Sequence, residues 1–106
     1  MKKVLFICSQ NRLRSPTAEQ VFADWPGVET ASAGTNNDAE VPLSAELVSW
    51  ADTIIVMERQ HRSKLQKRHR AQLGGKRVVC LDIPDDFDFM DEALVQLLKA
   101  RAPRVL

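Results

Sequence analysis

Val4-Leu5-Phe6-Ile7, followed by Cys8-Ser9-Gln10-Asn11-Arg12-Leu13-Arg14-Ser15 and then Pro16-Thr17-Ala18-Glu19, is the stretch on which the fold turns. An unbroken apolar run with β-branched members reads as a strand, Lys2 to Ile7, buried on both faces. Such strands belong to parallel sheets, where helices cover both sides. The polar loop after it ends at a helix start, because Pro16 is well tolerated in a first helical turn. From Pro16 to Trp25, residues Ala18, Val21, Phe22 and Trp25 recur at helical spacing, and Pro26-Gly27 stops the helix.

The same alternation continues outward from this unit. Val28 to Ala33 is a strand closed by the turn-rich Gly34-Thr35-Asn36-Asn37-Asp38. Val41 to Trp50 is a short helix with Leu43, Leu47 and Trp50 on one face, started near Pro42 or Ser44. Thr53 to Met57 is a buried strand, and Arg59 to Leu73 a polar surface helix stopped by Gly74-Gly75. Arg77 to Ile83 is the fourth strand. Asp91 to Ala102 is the last helix, with Asp91 as N-cap and Leu94, Leu97 and Leu98 facing inward. The expected fold class is therefore α/β: a three-layer sandwich with a four-stranded parallel sheet, in the order 2-1-3-4. That order puts the loop after the first strand at the switch point, where crossovers leave to opposite faces and a crevice opens.

Composition narrows the function classes. A chain of 106 residues suits one domain spanning 1–106. The formal charge of +1 offers no global field for a nucleic acid or a membrane surface. No apolar run approaches the ~20 residues of a bilayer span, and Met1-Lys2-Lys3 leads into a strand without a signal-peptide pattern, so a cytoplasmic protein is expected. Cys8 and Cys80 are too few for a disulfide framework. Cys80, within Arg77-Val78-Val79-Cys80-Leu81, reads as a small buried hydrophobe.

Cys8 differs because it ends a strand and opens a polar loop. The first N–H groups of a helix lack intrahelical acceptors and the peptide dipoles turn their positive ends there, so anions bind. Thiols in such places ionise within roughly 3.5–7.5, which makes Cys8 a nucleophile near neutral pH. The planar fork of Arg14 can hold two oxygens of a tetrahedral anion. Residues 9 to 13 would aim their N–H groups inward, with Asn11 best able to adopt a left-handed conformation. Ser15 can donate a hydrogen bond to the Cys8 sulfur.

Cys8-x5-Arg14-Ser15 directly after a first strand, continued by Pro16-x-Ala18-Glu19, resembles the low-molecular-weight protein tyrosine phosphatases. Ser32-Ala33-Gly34-Thr35 after the second strand and Asp52-Thr53-Ile54-Ile55-Val56-Met57 as the third strand agree with it. The resemblance implies a cysteine-dependent phosphomonoester hydrolase acting through phosphocysteine, with no metal and no cofactor. Its phosphate-binding loop would run from Cys8 through Ser9, Gln10, Asn11, Arg12, Leu13 and Arg14 to Ser15, braced by Asn11, Ser15 and Ser32. Its partners would be a phosphorylated protein or a small aryl phosphate, with inorganic phosphate or sulfate also fitting the loop.

The family's general acid lies in an Asp-Pro-aromatic loop after the fourth strand, a dipeptide absent here. Setting Ile83-Pro84-Asp85-Asp86-Phe87 on that loop makes Asp85 the acid and Phe87 an aromatic substrate wall. Asp82, nearer the strand end, is the alternative acid, and Phe87 is equally well read as a core residue. Gln10 stands where many relatives have Gly, and Leu13 replaces a second thiol, so no loop disulfide is available to Cys8. The segment between Thr35 and Asp52 is short, which removes part of the wall around a phosphotyrosine ring.

The remaining signals are weaker. Arg59, Arg62, Lys64, Lys67, Arg68, Arg70, Lys76 and Arg77 read as a solvated basic face, and His61 and His69 lack companions for a metal site. Two further functions stay open from sequence: arsenate reduction, which needs a resolving thiol, and a phosphate-binding module that has lost its acid.

Overall fold

The computed structural model describes residues 1–106. Four strands, β1 (Lys2–Cys8), β2 (Val28–Gly34), β3 (Thr53–Val56) and β4 (Arg77–Cys80), alternate with α1 (Arg14–Phe22), α2 (Ala45–Trp50), α3 (Arg59–His69) and α4 (Glu92–Arg101). All neighbouring strands pair in parallel and the sheet order is β2-β1-β3-β4, as the sequence predicts.

Period-two alternation along β1 divides the core between two faces. Val4, Phe6 and Cys8 join a cluster with Ala18 and Phe22 of α1 and Leu94 and Leu98 of α4. Leu5 and Ile7 join Val48 of α2 and Leu65 of α3 on the other side. Helices therefore cover both faces. Because α1 and α2 lie on opposite faces, the loop leaving β1 opens at the carboxyl edge of the sheet between them.

The differences from the sequence reading have local causes. α1 ends at Phe22, and the chain turns through Gly27 at φ 76°, leaving Trp25 to pack edge-on against Phe22 at 5.1 Å. α2 begins only at Ala45, capped by Ser44, which accepts from the Leu47 N–H at 3.2 Å. Its fully buried residue is Val48, while Leu43, Leu47 and Trp50 lie half-buried at the core margin. β4 stops at Cys80 rather than Ile83, because Asp82 adopts φ 55° and breaks the extended run. Ile83 is nevertheless fully buried, and its N–H bonds the Met57 carbonyl at 2.8 Å.

α3 is a surface helix along most of its length, but one face of it is buried. Leu65 and His61, one helical turn apart, are both fully buried. Several of its cations are also tied to backbone carbonyls: Arg62 reaches Val78 and Arg68 reaches Thr35 at 2.6 Å. No helix is long and apolar enough to cross a membrane.

Candidate active site

The loop between β1 and α1 is shaped from outside by its own carbonyls. Cys8, Ser9 and Gln10 turn their C=O groups to the N–H groups of Thr35, Asn36 and Glu40, at 2.9, 3.0 and 3.0 Å. Asn11 takes the left-handed conformation, φ 57°, whereas Gln10 does not need a glycine's freedom. No side chain caps the first turn of α1, so its N–H groups remain available to an anion. Gly34 lets the flanking strand approach: a Cβ there would lie 2.5 Å from the Ser9 carbonyl oxygen and 2.6 Å from the Ala39 Cβ. That close approach explains the glycine in Ser32-Ala33-Gly34-Thr35.

A chain of side chains supports the loop from beneath. The Asn11 amide donates to Ser15 Oγ at 3.0 Å and to Ser32 Oγ at 2.9 Å. Ser32 in turn donates to the Glu19 carboxylate. Ser15 Oγ lies 2.9 Å from Cys8 Sγ. When the sulfur is ionised, the hydroxyl must be the donor in that pair.

Arg14 is only 2% exposed. Its Nη1 donates to the Glu58 carboxylate and to the Ile83 carbonyl, the latter at 2.7 Å. Its Nε and Nη2 donate to no protein group within hydrogen-bond distance, and that edge has the geometry to hold a bidentate oxyanion. Asp85 Oδ1 lies 3.7 Å from Arg14 Nε, and Cys8, Ser9, Gln10, Arg12, Leu13, Arg14 and Asp85 line one cavity of about 250 Å³. Arg12 is at the rim, exposed and paired with Glu40 at 3.3 Å.

Asp82 faces elsewhere. It accepts from Cys80 Sγ at 3.4 Å, lies 4.0 Å from Arg59 Nε, and does not line the Cys8 cavity. Of the two readings of Phe87, packing against the core is the one its surroundings match. Its ring packs half-buried against the cluster containing Leu94 and Leu98 and is absent from the cavity lining, since the loop turns its aromatic side chain into the core. Cys80 packs on the α2/α3 face of the sheet while Cys8 belongs to the α1/α4 face, so the two thiols are separated by the sheet itself. No group of three or more His, Cys, Asp or Glu side chains is arranged to hold a metal ion.

Sequence reasoning passed over Glu58 and weighed His61 only as a metal ligand. Glu58 is the N-cap of α3 and forms a reciprocal capping box with His61: its side chain accepts from the His61 N–H, and its own N–H donates to His61 Nδ1 at 3.0 Å. The signal was an acidic residue at the carboxyl end of a parallel strand, beside the crevice, followed by a side-chain acceptor three residues later. Burial alone would raise the Glu58 carboxyl, but the hydrogen bond and charge of Arg14 outweigh it and hold the group below the usual carboxylate range. For His61, burial and then the Arg14 charge push the pKa down to about 4.

That shift makes the fold acid-sensitive. Between the ordinary histidine value of 6.5 and about 4, the unfolded chain binds the His61 proton more readily than the folded one. Stability is thus unaffected by His61 above that window and falls as pH drops through it, by about 3 kcal/mol in all. Burial, with the Arg68 charge, lowers His69 in the same direction. Denaturant unfolding at pH 7 and pH 4.5 should show the loss, and His61→Asn should remove most of the slope; an unchanged slope would assign the acid sensitivity to other groups.

Comparison with known proteins agrees with this architecture. No model of a known protein family matches the sequence. The chain is 30% identical to the "Probable low molecular weight protein-tyrosine-phosphatase EpsP" of Ralstonia nicotianae over 92% of its own length and 82% of the relative's. It superposes on Wzb of Vibrio vulnificus, solved with benzylphosphonate, with TM-score 0.73 and 25% identity, covering 92% of this chain and 90% of that one. The YwlE arginine phosphatase of Geobacillus stearothermophilus shares the fold with TM-score 0.78 at 21% identity, covering 99% and 93%. With the sheet order, the loop after the first strand and the curated relative in agreement, the chain belongs to the low-molecular-weight protein-tyrosine-phosphatase family and is a phosphatase of the phosphoric monoester hydrolase class.

Proposed function

We propose that this phosphatase hydrolyses phosphotyrosine or a similar aryl phosphate by a two-step cysteine mechanism that draws on neither metal nor cofactor. The observation that carries it is the shared cavity of Cys8, Arg14 and Asp85. The Cys8 thiolate attacks phosphorus, forming an S–P bond as the P–O bond to the leaving group breaks. The loop N–H groups and the Nε–Nη2 edge of Arg14, with Asp85 3.7 Å from Nε, hold the equatorial oxygens. Asp85 gives its proton to the departing oxygen. Water then attacks the phosphocysteine, Asp85 takes a proton from it, and the S–P bond breaks to release phosphate and the thiolate, which the Ser15 hydroxyl stabilises. The same loop accepts inorganic phosphate or sulfate. Arsenate reduction is disfavoured because Cys80 is on the far face of the sheet from Cys8.

Asp85 is favoured over Asp82 as the acid by its position beside Arg14. Asp85→Asn should lower turnover of phenyl phosphate by about 10²-fold. Dinitrophenyl phosphate, whose leaving group needs no proton, should lose far less. Asp82→Asn should leave both rates near wild type. The opposite pattern would move the acid to Asp82, and a wild-type chain that binds phosphate without hydrolysing either ester would end the hydrolase reading.

A further inference from the structure

His61 Nε2 lies 2.9 Å from Ser9 Oγ, the side chain that follows the nucleophile in the loop. The direction of this bond is decided by the other ring nitrogen. Nδ1 faces the backbone N–H of Glu58 at 3.0 Å, and an amide N–H can only donate. Nδ1 is therefore the acceptor, and the neutral ring carries its proton on Nε2 and donates it to Ser9. Ser9 Oγ thereby has one lone pair engaged, and its own hydrogen must point elsewhere. The hydroxyl makes no other side-chain hydrogen bond, and Ser9 lines the cavity beside Cys8 and Arg14.

We propose that the Ser9 hydroxyl, oriented by His61, is an additional hydrogen-bond donor to the oxyanion bound in the loop. In this assignment, which rests on the phosphatase reading of the cavity, Ser9 contacts the anion and His61 is a positioning residue acting through it. The geometry uses a neutral donor where a further cation would compete with Arg14 for Glu58. The low pKa of His61 keeps the ring in the required neutral form at physiological pH, with Arg14, Glu58, Lys64 and Asp85 the charges that act on it. α3 then serves the loop twice from one turn: Glu58 holds Arg14, and His61 aims Ser9.

Binding of inorganic phosphate to the intact chain, measured by calorimetry at pH 7, tests this directly. Ser9→Ala should weaken phosphate about tenfold, the loss expected for one hydrogen bond to a charged acceptor. Two His61 variants separate orientation from capping. His61→Asn keeps an acceptor where Nδ1 stood but has nothing that reaches Ser9; His61→Gln reaches Ser9 with an amide donor but gives up the cap. His61→Asn should lose affinity as Ser9→Ala does, His61→Gln should recover most of it, and Ser9→Ala/His61→Asn should be no weaker than either single variant. Wild-type affinity in Ser9→Ala, a Gln variant weaker than the Asn variant, or losses that multiply in the double variant would each overturn the proposal. Because the readout is phosphate affinity, a chain that binds phosphate but turns over no ester would defeat the hydrolase mechanism without touching this result.

Discussion

Cys8→Ser is expected to reduce aryl phosphate turnover by ~10⁴-fold or more, while the variant still binds inorganic phosphate. The two outcomes come from different parts of the loop. Turnover by the proposed route needs a strong nucleophile, and a serine hydroxyl is a much weaker one than a cysteine sulfur. In the proposed mechanism binding rests on the loop N–H groups and the Arg14 edge; the contacts of the Cys8, Ser9 and Gln10 carbonyls with the 35–40 segment and of Arg14 with Ile83, which hold these in place, do not involve the sulfur. Rapid quenching of the wild-type enzyme should trap phosphate on the peptide containing Cys8, and the Ser variant should trap none. Turnover in Cys8→Ser above about one per cent of wild type would mean that water attacks the ester directly, and the covalent route would have to be abandoned.

The sheet order and the place of the anion loop were legible because both depend on local signals. Val4 to Ile7 is apolar without interruption, so β1 has to be central, and a central first strand in a parallel sheet fixes where its loop emerges. Asn11 was readable for the same reason, since its preference for positive φ is intrinsic. What sequence did not disclose depends on approach in three dimensions. Glu58 and His61 stand in a polar, basic stretch whose composition says surface, yet the turn from β3 into α3 brings both against the loop. Along the chain Asp85 is set ahead of Asp82 only by its pairing with the family's acid loop. The left-handed turn at Asp82 sends its carboxylate toward Cys80 and Arg59, three residues before Asp85 comes beside Arg14. Substrate identity is less local still: a chain named for arginine phosphatase activity and one solved with benzylphosphonate share this fold, so the fold does not by itself choose a substrate.

Arg14→Lys should cost about 10²- to 10³-fold in kcat, although it conserves the charge. The reason is the division of labour within the guanidinium. Nη1 is committed to Glu58 and the Ile83 carbonyl, and only the planar fork lets the same side chain offer two further N–H groups toward the cavity. A lysine ammonium is a single centre, and Glu58 with the Ile83 carbonyl would draw it away from the oxyanion. Glu58→Gln provides the complementary experiment. It leaves the buried guanidinium without its counter-charge, so stability at pH 7 should fall by about 2 kcal/mol, a figure reduced because Glu58 is 32% exposed. The wild-type pair should show the matching pH dependence. A carboxyl held below its unfolded value of 4.5 stabilises the fold above that value and loses the contribution as pH falls through the lowered one. Saturating phosphate should stabilise Glu58→Gln more than wild type, because the bound dianion supplies the charge that Arg14 has lost. If instead Arg14→Lys turns over within a few-fold of wild type, charge alone suffices at this position and the fork geometry is not what the loop requires.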